Sequence, residues 1–341
     1  MTTYMRREVE EIPEAVARFL AAQAEACRAA GAALRARDPA LVVTVARGSS
    51  DHAAAYLKYA IELAAGVPVA SVGPSVASIY HRRLKLGAAA CLAISQSGQS
   101  PDIVEMTRSA AEAGALTLAV TNVAGSPLAR AAGHAIALEA GVEKSVAATK
   151  TFVASVVAGL LILAEWQEDD ALRAAVRSLP EVFARALACD WAPLADRLVR
   201  AQSLYVLGRG PGFAIASEMA LKCKETSGLH AEAYSAAEVL HGPAAIVQER
   251  FPVLALGVAD AALPGVIATA QRLAGQGADC FLTAPGALPP VRELASVGGL
   301  HPLVAPLTLV VSFYAFVEAL ARRRGFDPDK PPHLNKVTET R

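Results

Sequence analysis

The sequence predicts an α/β protein made of two tandem subdomains, each a parallel sheet flanked by helices. Three observations predict it. Short Val/Ala/Leu runs alternate with Ala/Glu/Arg helical stretches along 341 residues that are 54% hydrophobic and 5% aromatic. The leading run of each half ends in a glycine turn that enters a helix. The pattern also recurs: Val43-Thr-Val-Ala-Arg-Gly-Ser-Ser50 and Tyr205-Val-Leu-Gly-Arg-Gly-Pro-Gly212 align at an offset of 162, which also places Ala54 on Ala216 and Ala93 on Ala255. Gly114 and Gly277 miss that register by one residue, as one gained helical position would produce.

Taken in order, residues 1–34 read as an amphipathic helical arm. Residues 35–165 form the first subdomain, and 166–196 a charged helical connector beginning at Trp166-Gln-Glu-Asp-Asp170. Residues 197–325 form the second subdomain, near the usual domain size of about 100–150 residues. Residues 326–341 are too rich in proline for a helix and are expected as an extended tail. One segment, Leu303–Val317, has the hydropathy of a membrane span, but it is short and carries a proline. A buried core or dimer-interface helix is the expectation.

Lys+Arg and Asp+Glu are both 32, so the net charge is zero. That excludes a nucleic-acid or membrane-surface protein that works by bulk charge. Five scattered cysteines (Cys27, Cys91, Cys189, Cys223, Cys280) show no C-x-x-C pair and read as small buried hydrophobes of a reducing compartment. Met1-Thr-Thr-Tyr-Met-Arg-Arg-Glu8 has no apolar signal core, so a cytoplasmic location is expected.

The apolar run Ala89–Ile94 breaks into Ser95-Gln-Ser-Gly-Gln-Ser100 just before Pro101-Asp102. Ser100 suits an N-cap and Pro101 the first helical position. Ligands of open α/β sheets bind at the carboxyl ends of strands. Backbone N–H groups and the helix dipole there favour an anion, the dipole alone by ~0.3–1 kcal/mol. Ser95, Gln96, Ser97 and Ser100 add side-chain donors around the same point, and Arg47-Gly-Ser-Ser50 repeats the device one strand earlier. A ring of neutral donors suits a phosphate monoester, which has more acceptor lone pairs than one hydroxyl can meet. A single Ser-Pro pair such as Ser126-Pro127 would read as an ordinary cap. The second copy has Gly257-Val-Ala-Asp-Ala-Ala262 at the equivalent place, so one phosphate site per chain is expected. A dinucleotide fingerprint fails at Gly208-Arg-Gly-Pro-Gly-Phe213, because Phe213 stands at the third glycine, and a Walker lysine is absent.

The richest polar cluster is Glu218, Lys222 and Glu225, spaced i, i+4 and i+7 on one helix face, followed by Gly228, His230-Ala-Glu232 and Glu238-Val-Leu-His241-Gly-Pro243. Glu before Lys at that spacing stabilises an isolated helix by ~0.2–0.5 kcal/mol. Taken alone, such a stripe is an ordinary solvated face. The polar segment after Gly228 shifts the balance toward acid/base chemistry, and His241-Gly-Pro reads as a fixed turn presenting an imidazole. His230-Ala-Glu232 lacks the cysteine partners of a zinc deaminase, so no metal is expected.

These residues resemble the sugar isomerase (SIS) domain proteins, in particular the isomerase half of glucosamine-6-phosphate synthase and stand-alone aminosugar-phosphate deaminases and isomerases. The resemblance covers nearly the whole chain. It rests on Arg47-Gly-Ser-Ser50, Ser95-Gln-Ser-Gly98, Val146-Ala-Ala-Thr-Lys150, Leu221-Lys-Cys-Lys-Glu225, His230-Ala-Glu-Ala-Tyr234, His241-Gly-Pro243 and Leu334-Asn-Lys-Val-Thr338. It implies two tandem SIS subdomains, with Ser50, Ser95, Gln96, Ser97 and Ser100 holding a sugar phosphate. Glu225 would carry a proton between C1 and C2. His241 would open the pyranose ring, donated across a homodimer interface. Lys336 would form a Schiff base with the open-chain ketose or place its charge beside it. As a nucleophile it must be neutral, which implies a desolvated site; each unit of pKa lowering corresponds to ~1.4 kcal/mol. Val146, Ala147 and Asn335 would contact the sugar through backbone groups, with Glu218 and Lys222 supporting Glu225.

Two departures matter. The synthase carries a glutaminase domain with a leading cysteine, which this sequence lacks, so free ammonia is the expected nitrogen species. Ala148 replaces a sugar-contacting serine, which leaves the exact sugar open. The expected reaction is glucosamine 6-phosphate plus water giving fructose 6-phosphate and ammonia, without metal or organic cofactor. The rivals are a galactosamine-6-phosphate deaminase/isomerase, a fructosamine-6-phosphate deglycase and a non-catalytic sugar-phosphate sensor. A sensor of the transcription-regulator kind would carry a helix-turn-helix segment, and the arm is too short for one.

Overall fold

The structure, a computed structural model, describes residues 2–286 and 288–336. It divides into two compact units. The first holds residues 11–143, 150–180 and 335–336; the second holds 2–10, 144–149 and the described residues of 181–334.

In the first unit, β1 (Leu41–Val45), β2 (Val69–Ser71), β3 (Ala89–Ile94), β4 (Leu116–Thr121) and β5 (His134–Ala137) pair in the order β2-β1-β3-β4-β5, all parallel. Every residue of β3 is buried, which is why it reads as a continuous apolar run and not an alternating one. The helix Ile12–Arg37 packs against the apolar helix Lys150–Gln167, and Ser49–Ala65 packs against that same helix. The core around β1 and β3 is closed by Ile103, Met106 and Ala110 of the helix Pro101–Glu112.

In the second unit, β6 (Ser203–Gly208), β7 (His230–Ser235), β8 (Pro252–Ala255), β9 (Asp279–Leu282) and β10 (Arg292–Glu293) pair in the order β10-β9-β8-β6-β7, again all parallel. Read from the other edge this is the order of the first sheet, strand for strand. The repeated glycine turns match as well: Gly48 lies at φ 54°, ψ −132° and Gly210 at φ 55°, ψ −135°. Gly114 and Gly277, one residue out of register, both end a helix–strand turn with positive φ (88° and 96°).

The structure redraws some expectations and meets others. The arm 1–34 is not a separate element: residues 2–10 belong to the second unit and the helix Ile12–Arg37 to the first. The tail is likewise anchored at Asp329, whose carboxylate accepts the backbone N–H groups of Tyr4 (2.6 Å) and Met5 (2.8 Å) at the start of the helix Tyr4–Glu10. Leu303–Val317 is a core helix, Ala305–Arg323, with 78% of its apolar window buried, and a second helix of comparable hydropathy, Lys150–Gln167, is 89% buried. The segment after Gly228 is an edge strand, β7. Burial pushes the thiols of Cys27, Cys91, Cys223 and Cys280 up to about 12, whereas Cys189 is only half-buried. Residues 337–341, of which Val337 and Thr338 belong to the tail motif, lie outside the described residues.

Candidate active site

The sheet order of the first unit puts its switch point between β1 and β3, where ligands of doubly wound sheets bind. Both polar turns emerge there: Arg47–Ser50 follows β1 and Ser95–Ser100 follows β3. Ser95 Oγ accepts the Gly98 N–H at 3.2 Å and Ser97 Oγ accepts the Gln99 N–H at 3.2 Å, which shapes the turn and leaves each hydroxyl proton to be donated elsewhere. The turn needs glycine at Gly98, which has φ 61° and no room for a Cβ against the Ser126 and Thr121 side chains. Gln96 is fixed through its backbone carbonyl, which accepts the Asn122 N–H at 3.0 Å.

Ser100 departs from its expected role. It occupies the N-cap of Pro101–Glu112, yet its side chain makes no capping bond. Ser126, by contrast, caps Pro127–Ala131 by accepting the Ala129 N–H at 3.2 Å. The two Ser-Pro pairs thus do different work. The first-turn partner missed by sequence reasoning is Asp102: buried to 1%, it binds the Arg47 guanidinium at 2.8 and 3.1 Å and ties the two turns together. Its only sequence signal was an acidic residue in a helix's first turn.

In the second unit, the stripe expected as solvated when taken alone is buried. The side chains of Glu218 and Lys222 are 0% exposed and that of Glu225 is 20% exposed. Lys222 lies 3.4 Å from Glu218 and in direct ion-pair contact with Glu225. Burial opposes the Lys222 ammonium, but the two carboxylates outweigh it and raise its pKa. The phenol of Tyr314, from the core helix, donates to Glu218 at 2.9 Å. Removing one member of such a buried set leaves uncompensated charge, at a cost of about 3–5 kcal/mol. The helix Pro211–Ser227 ends at Gly228 (φ 55°) as the sequence predicts.

His241 closes the 3-10 turn Glu238–His241 and is exposed. A second 3-10 turn, Pro243–Ile246, follows directly, and the buried Tyr205 hydroxyl holds it by donating to the Pro243 carbonyl at 3.0 Å. In the same unit, Glu8 is 4% exposed and accepts the backbone N–H groups of Lys144 and Ser145 and, at 2.5 Å, the Ser145 hydroxyl. It therefore fixes the segment carrying Val146 and Ala147. Ser145 Oγ also reaches the Ala147 carbonyl at 2.9 Å. In the first unit, Asn335 is exposed and Lys336 pairs with Glu143 at 2.8 Å. Ser50 is half-buried in the first turn of Ser49–Ala65.

The SIS domain family matches residues 37–164 and again 197–321. This chain belongs to the SIS family. It is 35% identical to a glutamine–fructose-6-phosphate aminotransferase (isomerizing) of Aeropyrum pernix, over 98% of this chain and 57% of that protein. A homologue of the same name from Symbiobacterium thermophilum is 33% identical over 98% of this chain and 58% of its own length. The SIS chain thus spans little more than half the length of the curated relatives it matches. Among solved structures, a candidate phosphosugar isomerase from Silicibacter pomeroyi is 55% identical, with a TM-score of 0.93 over 96% of this chain and 100% of that one. The C-terminal domain of the Francisella tularensis glucosamine-fructose-6-phosphate aminotransferase follows at 26% identity and TM-score 0.85, covering 97% of this chain and 99% of that one. The match of one SIS pattern to both halves agrees with the two identical strand orders.

Proposed function

We propose that this SIS protein is a phosphosugar isomerase that acts on an aminosugar phosphate, converting glucosamine 6-phosphate and water to fructose 6-phosphate and ammonia. The observation that carries the reading is the state of Glu225. It is the member of a buried Glu-Lys-Glu set that keeps an exposed edge, held by a cation whose other carboxylate neighbour is sealed from solvent. A base that moves a proton between adjacent carbons needs this combination of fixed orientation and access.

In this reading Ser50, Ser95, Gln96, Ser97 and Ser100 hold the phosphate. His241, supplied across a homodimer interface, opens the ring. Glu225 takes the C2 proton of the open-chain sugar and returns it to C1, leaving an imine at C2. Water adds to that carbon and ammonia departs, giving the ketone. Lys336 meets the open-chain carbonyl, and Val146, Ala147 and Asn335 contact the sugar through their backbone. The relatives named for fructose-6-phosphate chemistry and the neighbour named for phosphosugar isomerisation support the substrate class.

The test is ammonia release from glucosamine 6-phosphate with fructose 6-phosphate assayed in the same tube. Both products are expected in equal amounts, and Glu225→Gln should lower turnover by about 10²–10⁴-fold, the usual contribution of a positioned base, with sugar-phosphate affinity retained. Activity confined to galactosamine 6-phosphate or a fructosamine 6-phosphate would change the substrate. Binding without turnover of any of the three would make the protein a sensor.

A further inference from the structure

We propose that Glu143 is the positioning residue for Lys336, fixing the ammonium of the C-terminal segment in the first unit. The inference rests on the second of the two roles given to Lys336, an ammonium that places its charge beside the open-chain sugar, and not on a neutral Schiff-base nucleophile. Two observations carry it. Lys336 Nζ lies 2.8 Å from Glu143 Oε2, with the lysine side chain 24% exposed and the carboxylate fully buried. The carboxylate is itself immobilised, because the Thr151 N–H donates to Oε1 at 3.1 Å and the Thr151 hydroxyl to Oε2 at 2.7 Å. These donors belong to the first residues of the buried helix Lys150–Gln167, so the anchor is the rigid core and not the tail.

The physical consequence is orientation. A lysine has four rotatable side-chain bonds, and the residues just before Lys336, Leu334 and Asn335, are exposed. A carboxylate whose oxygens are already directed by two core donors presents Lys336 with one well-defined acceptor, so the ammonium is aimed before any sugar arrives. Breaking a buried carboxylate–ammonium contact by removing one partner is costly, which holds the lysine in place.

The experiment compares wild type with Glu143→Gln and Glu143→Asp, using two readouts. The first is steady-state turnover of glucosamine 6-phosphate. Glu143→Gln should lower kcat at least tenfold and leave KM within twofold, with Glu143→Asp recovering part of the loss. The second needs no substrate: competitive acetylation of all lysines, resolved by mass spectrometry. Glu143→Gln should change the Lys336 rate at least threefold relative to the other lysines. If Glu143→Gln does not fold, Thr151→Val, which frees the carboxylate but keeps its charge, should show the same kcat effect in weaker form. Wild-type kcat and wild-type Lys336 labelling in the Gln variant would overturn the proposal. A Lys336→Ala protein with full turnover would instead overturn the reading of Lys336, and the labelling result would then stand alone as evidence on the pairing.

Discussion

The turn after β3 and its counterpart after β8 occupy the same place in the same strand order, yet they are chemically different. After β3, Ser95 and Ser97 shape a turn around Gly98 while Ser100 leaves its helix uncapped. After β8, the turn is met from within and from the neighbouring strand end: Asp260 accepts the Ala262 N–H at 2.8 Å, and the Gly257 N–H donates to Thr283 Oγ1 at 3.0 Å. The opening glycine turns differ by only a few degrees between the copies. Backbone geometry has been retained where it builds the sheet, and polar side chains differ where a ligand would be met. A fold repeated in this way carries function through the side chains placed on it and not through the fold itself.

That contrast can be broken from either side. Removing one donor of a charged ligand, Ser97→Ala, should raise KM about 10–100-fold, since a hydrogen bond to a charged group contributes about 1.5–3 kcal/mol. The matched change Asp260→Ala should leave KM within twofold; an equal rise would place the ligand in the second turn. A smaller contrast separates the two Ser-Pro pairs. Ser126→Ala should cost about 1 kcal/mol of stability through its lost cap, measured by urea unfolding, with turnover unchanged. Ser100→Ala should leave stability nearly intact and raise KM. Reversed effects would show that Ser100 caps and Ser126 binds.

Much of the fold was legible because it is written locally. Glycine turns, apolar runs and the offset between Arg47-Gly48 and Arg209-Gly210 sufficed to count two parallel sheets. The candidate site was legible only where its chemistry is also local, as in Ser95–Ser100 or the Glu218, Lys222, Glu225 spacing. Burial of that stripe was not, because it depends on Tyr314, 96 residues from Glu218. Glu8 and Glu143 escaped for the same reason: their partners lie 136 to 137 and up to 193 residues away. Ser100 misled because its position fits a cap, and the bond a cap would make is visible only in three dimensions.

The most direct measurement is a crystal structure of the Glu225→Gln protein with glucosamine 6-phosphate, the variant chosen so that the sugar survives. The account predicts the phosphate seated on Ser95, Ser97 and Ser100 at the start of Pro101–Glu112, with intact substrate bound because the variant at position 225 cannot turn it over. A phosphate seated at Gly257–Ala262, or substrate already converted to product in the crystal, would contradict it.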